Sequence, residues 1–316
     1  MVTLGSPSFS TIRTKCEHLL ILKALGPNVA QHATEKKMPP NKIFSTPELS
    51  AGLDNPLDFA IRSRDRNTLD MVRYALQHKN VMLAYQPVVR ADRLHRPAFY
   101  EGLIRVLDET GRIIPAREFI EVVETDEMGR VIDCLALEMG LAALAGEPGL
   151  RLSINMSARS IGYKRWMQTL MHGLQIDPTA GERLILEITE TSAMLMPELV
   201  SSFMSELQNL GISFALDDFG AGYTAFRFLK DFYFDIVKID GQFIRNIHRD
   251  PDNQVLTKAL VSIAEQFEMF TVAECVEGAE DVHFLESLGV DCLQGYYFGA
   301  PTTAPPWREP SEEKRA

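Results

Sequence analysis

The sequence has no CxxC pair, no HExxH signature and no long apolar run, and each absence removes a class of protein. Its cysteines, Cys16, Cys134, Cys275 and Cys292, are far apart, a usage expected of reduced thiols in the cytoplasm rather than of a disulfide framework. The seven histidines show no ligand spacing, so a zinc centre is not indicated. No segment approaches the roughly 18–20 apolar residues of a membrane-spanning helix. The stretch Leu19–Leu25 is interrupted by Lys23 and follows Glu17 and His18, which makes a poor signal-peptide core. Positive charge is also scarce. Lys and Arg number 32 against 43 Asp and Glu, a net charge of −11 that argues against nucleic-acid polymers and anionic membranes as partners.

What is present divides into unequal parts. Residues 1–66 hold six of the 17 prolines, carry a small excess of basic residues and sustain no long period. They are expected to form a mobile leader with one short helix near Lys15–Leu25. Beyond Asn67 the pattern becomes regular, to about residue 304, with residues 305–316 expected as a disordered tail. Strand-like runs at Val81–Val89, Phe99–Val106, Arg151–Met156, Leu184–Ile188, Ile212–Leu216, Asp235–Ile239, Phe270–Cys275 and Cys292–Phe298 mostly alternate with amphipathic helical stretches. One helical stripe is Val200, Phe203, Leu207 and Leu210, closed by Gly211; another is Leu256, Leu260, Ile263, Ala264 and Phe267, opened by Asp252 or Asn253 as N-cap. The fold class expected is α/β, a TIM-like (β/α)8 barrel of about 250 residues. The connection Arg90–Ala98 has no room for a helix, so the first strand is expected to run antiparallel to its neighbour.

Polar residues recur at the ends of these strands. Glu101 lies in the second, Asn155 near the end of the third, Glu187 in the fourth, Asp217 and Asp218 after the fifth, and Lys238 in the sixth. Glu274 and Glu277 end the seventh, and Gln294 lies on the eighth. In a parallel barrel these ends converge on one mouth, where active sites are built. Singly, each has a bland explanation as a cap, a turn or a solvated side chain, and the pair Asp217–Asp218 before Gly220 could be turn chemistry. Jointly, six carboxylates, two amides and a lysine at equivalent places demand another reason. Carboxylates brought together repel and raise one another's pKa. Divalent cations relieve that, and oxygen donors select hard ions such as Mg²⁺ or Mn²⁺. Such ions beside a lysine point to phosphate-ester chemistry, in which two metals clamp the attacking and leaving oxygens.

These segments resemble the EAL domain of cyclic-di-GMP phosphodiesterases. The matches are Tyr85-Gln86-Pro87, Tyr100-Glu101-Gly102-Leu103-Ile104-Arg105, Ile154-Asn155-Met156-Ser157 and Leu186-Glu187-Ile188-Thr189-Glu190. They continue with Leu216-Asp217-Asp218-Phe219-Gly220-Ala221-Gly222-Tyr223, Val237-Lys238-Ile239-Asp240, Val272-Ala273-Glu274-Cys275-Val276-Glu277 and Gln294-Gly295-Tyr296. The resemblance implies hydrolysis of cyclic-di-GMP to linear 5′-pGpG with two divalent cations, Mg²⁺ or Mn²⁺. It gives Glu101, Asn155, Glu187 and Asp217 to the first metal, and Asp217, Asp218 and Glu274 to the second or to the water between them. Glu101, Lys238 and Glu274 become the catalytic residues, with Lys238 orienting the nucleophile and Glu274 as general base. Gln86, Leu103, Arg105 and Gln294 become substrate contacts, Glu277 a support, and Glu190 a brace for the loop Asp217–Phe228, which couples the site to a homodimer interface. An alternative within the resemblance is a silent domain that binds cyclic-di-GMP, or a protein, without cleaving it. The sequence departs from the family pattern in reading Glu-Gly-Leu for Glu-Ala-Leu, Val106 for tryptophan and Cys275 for glycine.

Overall fold

Strand-forming stretches separated by helices close on themselves in the computed structural model, which describes residues 56–222 and 229–308. The helix expected near Lys15–Leu25 lies outside the described residues. Helix α1 spans Pro56–Gln77, opens on the proline and buries Val72 and Ala75 against the barrel core. It crosses residue 66, the end of the expected leader.

Strands β1 (Val81–Arg90) and β2 (Arg93–Leu107) form a hairpin, and the short β3 (Ile113–Pro115), which the sequence pattern does not announce, pairs with the end of β2. After α2 (Ile120–Val123) and α3 (Glu127–Gly146), strand and helix alternate. The order is β4 (Leu152–Asn155), α4 (Lys164–Ile176), β5 (Leu184–Thr189), α5 (Glu190–Leu195), α6 (Pro197–Gln208), β6 (Ser213–Phe219) and β7 (Ile236–Ile239). Helices α7 (Gly241–Ile244) and α8 (Pro251–Gln266), β8 (Phe270–Ala273), α9 (Ala279–Ser287) and β9 (Cys292–Gln294) complete the chain. Strands β2, β4, β5, β6, β7, β8 and β9 pair in that order, all parallel, while β1 is antiparallel to both β2 and β9 and closes the ring. The result is a TIM-like barrel with an antiparallel first strand, and the missing crossover between β1 and β2 accounts for that strand's direction.

The two-residue period of a strand fixes what faces inward. Val88, Phe99, Ile185, Ala215, Ile236 and Val272 form a buried apolar plug, joined by half-buried Cys292. One inward position further toward the mouth on the same strands stand Gln86, Glu101, Glu187, Asp217, Lys238, Glu274 and Gln294. The outward residues pack against the helices in the larger core.

The helix stripes need three corrections. Leu210 lies past the end of α6 and Phe267 past the end of α8, both exposed, and Leu256 is exposed on α8, where Thr257, Leu260, Val261 and Ala264 carry the buried face instead. The N-cap of α8 is Asp250, whose carboxylate accepts from the amides of Asp252 and Asn253, with Pro251 in the first turn. Among the described cysteines, Cys134, Cys275 and Cys292 are free thiols.

Candidate active site at the barrel mouth

Lys238 is the hub of the site. Its side chain is 1% exposed, and its Nζ lies 2.8 Å from both Glu187 Oε2 and Glu274 Oε1, 3.0 Å from Asp217 Oδ1 and 3.5 Å from Glu101 Oε2. One cation thus faces four carboxylates supplied by four different strands or strand ends. Burial works against the ammonium charge, but Asp217, Glu101, Glu187 and Glu274 hold the Lys238 pKa well above the ordinary lysine value.

The carboxylates respond unequally. Burial opposes the charge of Glu101, yet Lys238 and hydrogen bonds from Gln294 and Asn155 outweigh it and keep that carboxyl below its ordinary value. Asn155 Nδ2 donates to Glu101 Oε1 at 2.8 Å and Gln294 Nε2 to Glu101 Oε2 at 2.6 Å. Burial, reinforced by the negative charge of Glu101, pushes Glu187 well above its ordinary value. Burial likewise lifts Glu274 to about 8, and burial with the neighbouring Asp217 lifts Asp218 to about 6. The fold therefore holds more negative charge here than one lysine neutralises.

A bulge makes the Asp217–Asp218 pair useful. Between β6 and β7 the register runs Leu216 opposite Val237, then Phe219 opposite Ile239, so β6 carries an extra residue. Asp218 takes φ +56°, and ligand oxygens of Asp217, Asp218 and Glu274 then lie within 4.8 Å of one another. In a regular strand two consecutive residues would point to opposite faces. Cys275, directly after Glu274, also sits at φ +55°, where glycine is the unstrained residue.

The residues fit hard divalent cations on their own chemistry. Oxygen Oε1 of Glu187 is buried without a hydrogen-bond donor, Oδ1 of Asp217 is buried facing Lys238 Nζ at 3.0 Å, and the other groups around them are carboxylates and amides. Buried anionic oxygens left in this state are what a bound cation would satisfy.

Beside the cluster, a cavity of about 320 Å³ is lined by Glu101, Leu103, Asn155, Asp218, Glu124 and Asp133, among others. A larger hollow of about 1040 Å³ lies around Arg90, Arg151 and Phe270, at the other end of the strands and away from the carboxylates. The smaller one is the cavity that adjoins the carboxylate cluster.

The remaining expected residues separate into two groups. Gln86 is within the cluster: its amide donates to Gly299 O at 3.1 Å and its Oε1 lies 3.3 Å from Gln294 Nε2. Arg105 is half-buried, with one guanidinium nitrogen spent on Ile104 O. Glu190 is buried and accepts from the Gly220 amide at 3.0 Å; the loop it is expected to brace includes residues 223–228, outside the described residues. Glu277 stands apart, exposed on the rim and 4.0 Å from Arg245.

Sequence reasoning overlooked Asp133. It is buried on α3, accepts from Ser157 N at 3.0 Å and Ser160 Oγ at 2.6 Å, and burial lifts its carboxyl to about 7. A signal was available: an aspartate within the apolar face formed by Ile132, Ala136 and Leu137 of a helix.

The departure at Gly102 also has a structural reason. A Cβ there would meet Ile154 Cδ1 at 2.7 Å, and one at Gly140 would meet the same side chain at 2.9 Å. Ile154 fills the space that two glycines leave.

The EAL domain family matches residues 69–301. Cyclic di-GMP phosphodiesterase PdeB of Shewanella oneidensis is 28% identical over 78% of this chain and 29% of its own length. Cyclic di-GMP phosphodiesterase PdeF of Escherichia coli is 31% identical over 74% of this chain and 31% of its own. The chain thus spans under a third of the length of these relatives. Among solved structures, the MucR phosphodiesterase of Pseudomonas aeruginosa in complex with c-di-GMP superposes with a TM-score of 0.66. It is 27% identical, over 78% of this chain and 99% of that one.

Proposed function

The chain belongs to the EAL domain family, and from that premise we propose that it hydrolyses cyclic-di-GMP to linear 5′-pGpG with divalent cations. The observation that carries the reading is the complete acidic set Glu101, Glu187, Asp217, Asp218 and Glu274 around buried Lys238, beside an open cavity. Such a set destabilises a fold that does not use it, because buried carboxylates need compensation. The names of the relatives support cyclic-di-GMP as the substrate.

Glu101, Asn155, Glu187 and Asp217 would hold one cation, and Asp217, Asp218 and Glu274 a second, either Mg²⁺ or Mn²⁺. The cations, when bound, supply the positive charge that stabilises both oxygens of an in-line displacement. The chain's own groups do the rest. Gln86, Leu103, Arg105 and Gln294 hold the nucleotide across the mouth, with Arg105 suited to a phosphate. Water attacks one phosphorus and gives a proton to Glu274, which bound cations would keep ionised; the P–O3′ bond breaks, and the 3′-oxygen takes a proton from solvent, leaving a 3′-hydroxyl and a 5′-phosphate. Lys238 cannot lose its proton among four carboxylates, so it acts as a fixed charge that orients water and phosphate, not as an acid. Glu190 would brace the segment after β6. Homodimerisation there belongs to the same reading, supported by exposed Leu195 in a recess shared with Ala221 and Gly222. Among the described residues no helix is long and apolar enough to cross a membrane, and we place the reaction in the cytoplasm.

A panel of cyclic dinucleotides with Mg²⁺ or Mn²⁺, followed by chromatography, tests the substrate. Conversion of cyclic-di-GMP alone to pGpG is expected. Binding without cleavage under either ion would make the domain a receptor, and cleavage of the whole panel would remove the specificity.

A further inference from the structure

The β1–β2 hairpin joins two strands of the barrel wall without a helix, and a segment from the other end of the described chain lies across it. Tyr85 N donates to Thr302 O at 2.8 Å, and Thr302 N donates to Tyr85 O at 3.0 Å. Five residues on, Trp307 sets its ring edge-on to Tyr85, with centroids 5.0 Å apart and planes at 76°, and edge-on to Tyr100, at 4.7 Å and 72°. Both are favourable T-shaped arrangements.

The position of these contacts gives them their meaning. Tyr85 precedes Gln86, Tyr100 precedes Glu101, and Gln86 and Glu101 are themselves partners across the hairpin. Because side chains alternate across a strand, a ring held against the outward Tyr85 and Tyr100 fixes where the inward Gln86 and Glu101 point. The same segment touches the site directly. Gly299 O accepts from Gln86 Nε2 at 3.1 Å, Gln86 Oε1 lies 3.3 Å from Gln294 Nε2, and that nitrogen donates to Glu101 Oε2 at 2.6 Å. The carboxylate of Glu101 is thus located by two routes, both starting from residues 299–307. Residues 302–307 lie beyond the span that the EAL domain family matches.

We propose that Trp307 is a positioning residue for the cation site, clamping β1 and β2 from outside so that Gln86, Gln294 and Glu101 keep the geometry that binds the ion. The inference rests on the functional reading above in taking Glu101 as a cation ligand. Ligand oxygens must be held to about 0.5 Å for productive binding, and outer-sphere partners of metal ligands typically matter ~10- to 100-fold in affinity. Trp307 acts one residue further out, so an effect of ~3- to 10-fold is expected.

The test is thermal unfolding of wild type, Trp307→Ala, Trp307→Leu and Trp307→Phe during titration with Mn²⁺, with cyclic-di-GMP cleavage measured in parallel. A merely structural tryptophan would lower the unfolding temperature equally with and without the ion, leaving the half-saturating Mn²⁺ concentration unchanged. The clamp instead raises that concentration ~3- to 10-fold in Trp307→Ala and restores most of it in Trp307→Phe, which keeps a ring. Should Trp307→Ala fail to fold, Trp307→Leu keeps the apolar cover without the ring and carries the comparison. Equal half-saturation in wild type and the ringless variant overturns the clamp and leaves the functional reading standing. A wild type that responds neither to Mn²⁺ nor to cyclic-di-GMP overturns the functional reading, and the clamp with it.

Discussion

Replacing Lys238 with methionine keeps its length and removes the one ammonium at the centre of the site. Glu187, Glu274, Asp217 and Glu101, all within 3.5 Å of that nitrogen, then face one another without a cation. Breaking a buried ion pair from one side costs roughly 3–5 kcal/mol. For a domain of this size that corresponds to a fall in Tm of about 6–20 °C. The loss is pH-dependent with a definite sign. Carboxyls whose folded-state pKa is raised, as burial does for Glu187 and for Glu274 (to about 8), favour the protonated fold. In chelator, stability is therefore lost as pH rises from the ordinary carboxylate range toward about 8, and Lys238→Met steepens that loss. Divalent ions act the other way, since ligand at ~100 times its Kd adds about 2.7 kcal/mol to whatever state binds it. Thermal unfolding at pH 5 and pH 8, with chelator and with Mn²⁺, should show a deficit in the variant that is largest at pH 8 in chelator. A variant as stable as wild type under that condition would refute the charge argument.

Two further predictions follow from side chains near the mouth. Burial lifts Asp133 to about 7, against an ordinary value of ~3.9, so its charge costs the fold up to about 4 kcal/mol at pH 8. Asp133→Asn, whose amide oxygen can accept the same bonds from Ser157 and Ser160, should unfold at a higher temperature than wild type at pH 8. The advantage should vanish near pH 4, and thermal melts across that range would expose any variant that fails to follow it. Gly102→Ala restores the family's usual triplet but brings its Cβ to 2.7 Å from Ile154 Cδ1. Overpacking of this kind costs roughly 1–3 kcal/mol, and adding Ile154→Val should recover most of it in a denaturant melt, whereas additive losses would contradict the explanation.

The barrel and the polar layer at its mouth were legible because one rule governs both. A strand shows inward residues every second position, so an apolar plug and a polar mouth differ by two residues on the same strand: Phe99 and Glu101, Ile185 and Glu187, Ile236 and Lys238. The antiparallel β1 followed from the length of a loop alone. What stayed hidden depends on backbone shape or on partners distant in sequence. The bulge that turns both Asp217 and Asp218 toward the site breaks the alternation the reading relied on. Cys275 at φ +55° shows why glycine is usual there, a fact no side-chain pattern announces. Glu277 looked like part of the cluster because it follows Glu274 closely, yet the chain leaves the strand at Ala273 and carries Glu277 to the exposed rim. Helix α1 carries a polar run, residues 62–68, between its apolar ends, so no continuous period stood out from a proline-bearing segment, although Val72 and Ala75 are fully buried. Asp250 caps α8 in place of its neighbours because Pro251, with φ preset for a first turn, fixes where the helix begins.

We propose that five carboxylates and Lys238 form a working cation-dependent phosphodiesterase site. Its most direct test is chromatography of cyclic-di-GMP after incubation with purified wild type and with Glu101→Ala, each with Mn²⁺ and with chelator. Wild type should yield pGpG with Mn²⁺ only, and Glu101→Ala none. Product formation that persists in chelator, or in Glu101→Ala, would contradict it, and so would intact nucleotide in every tube.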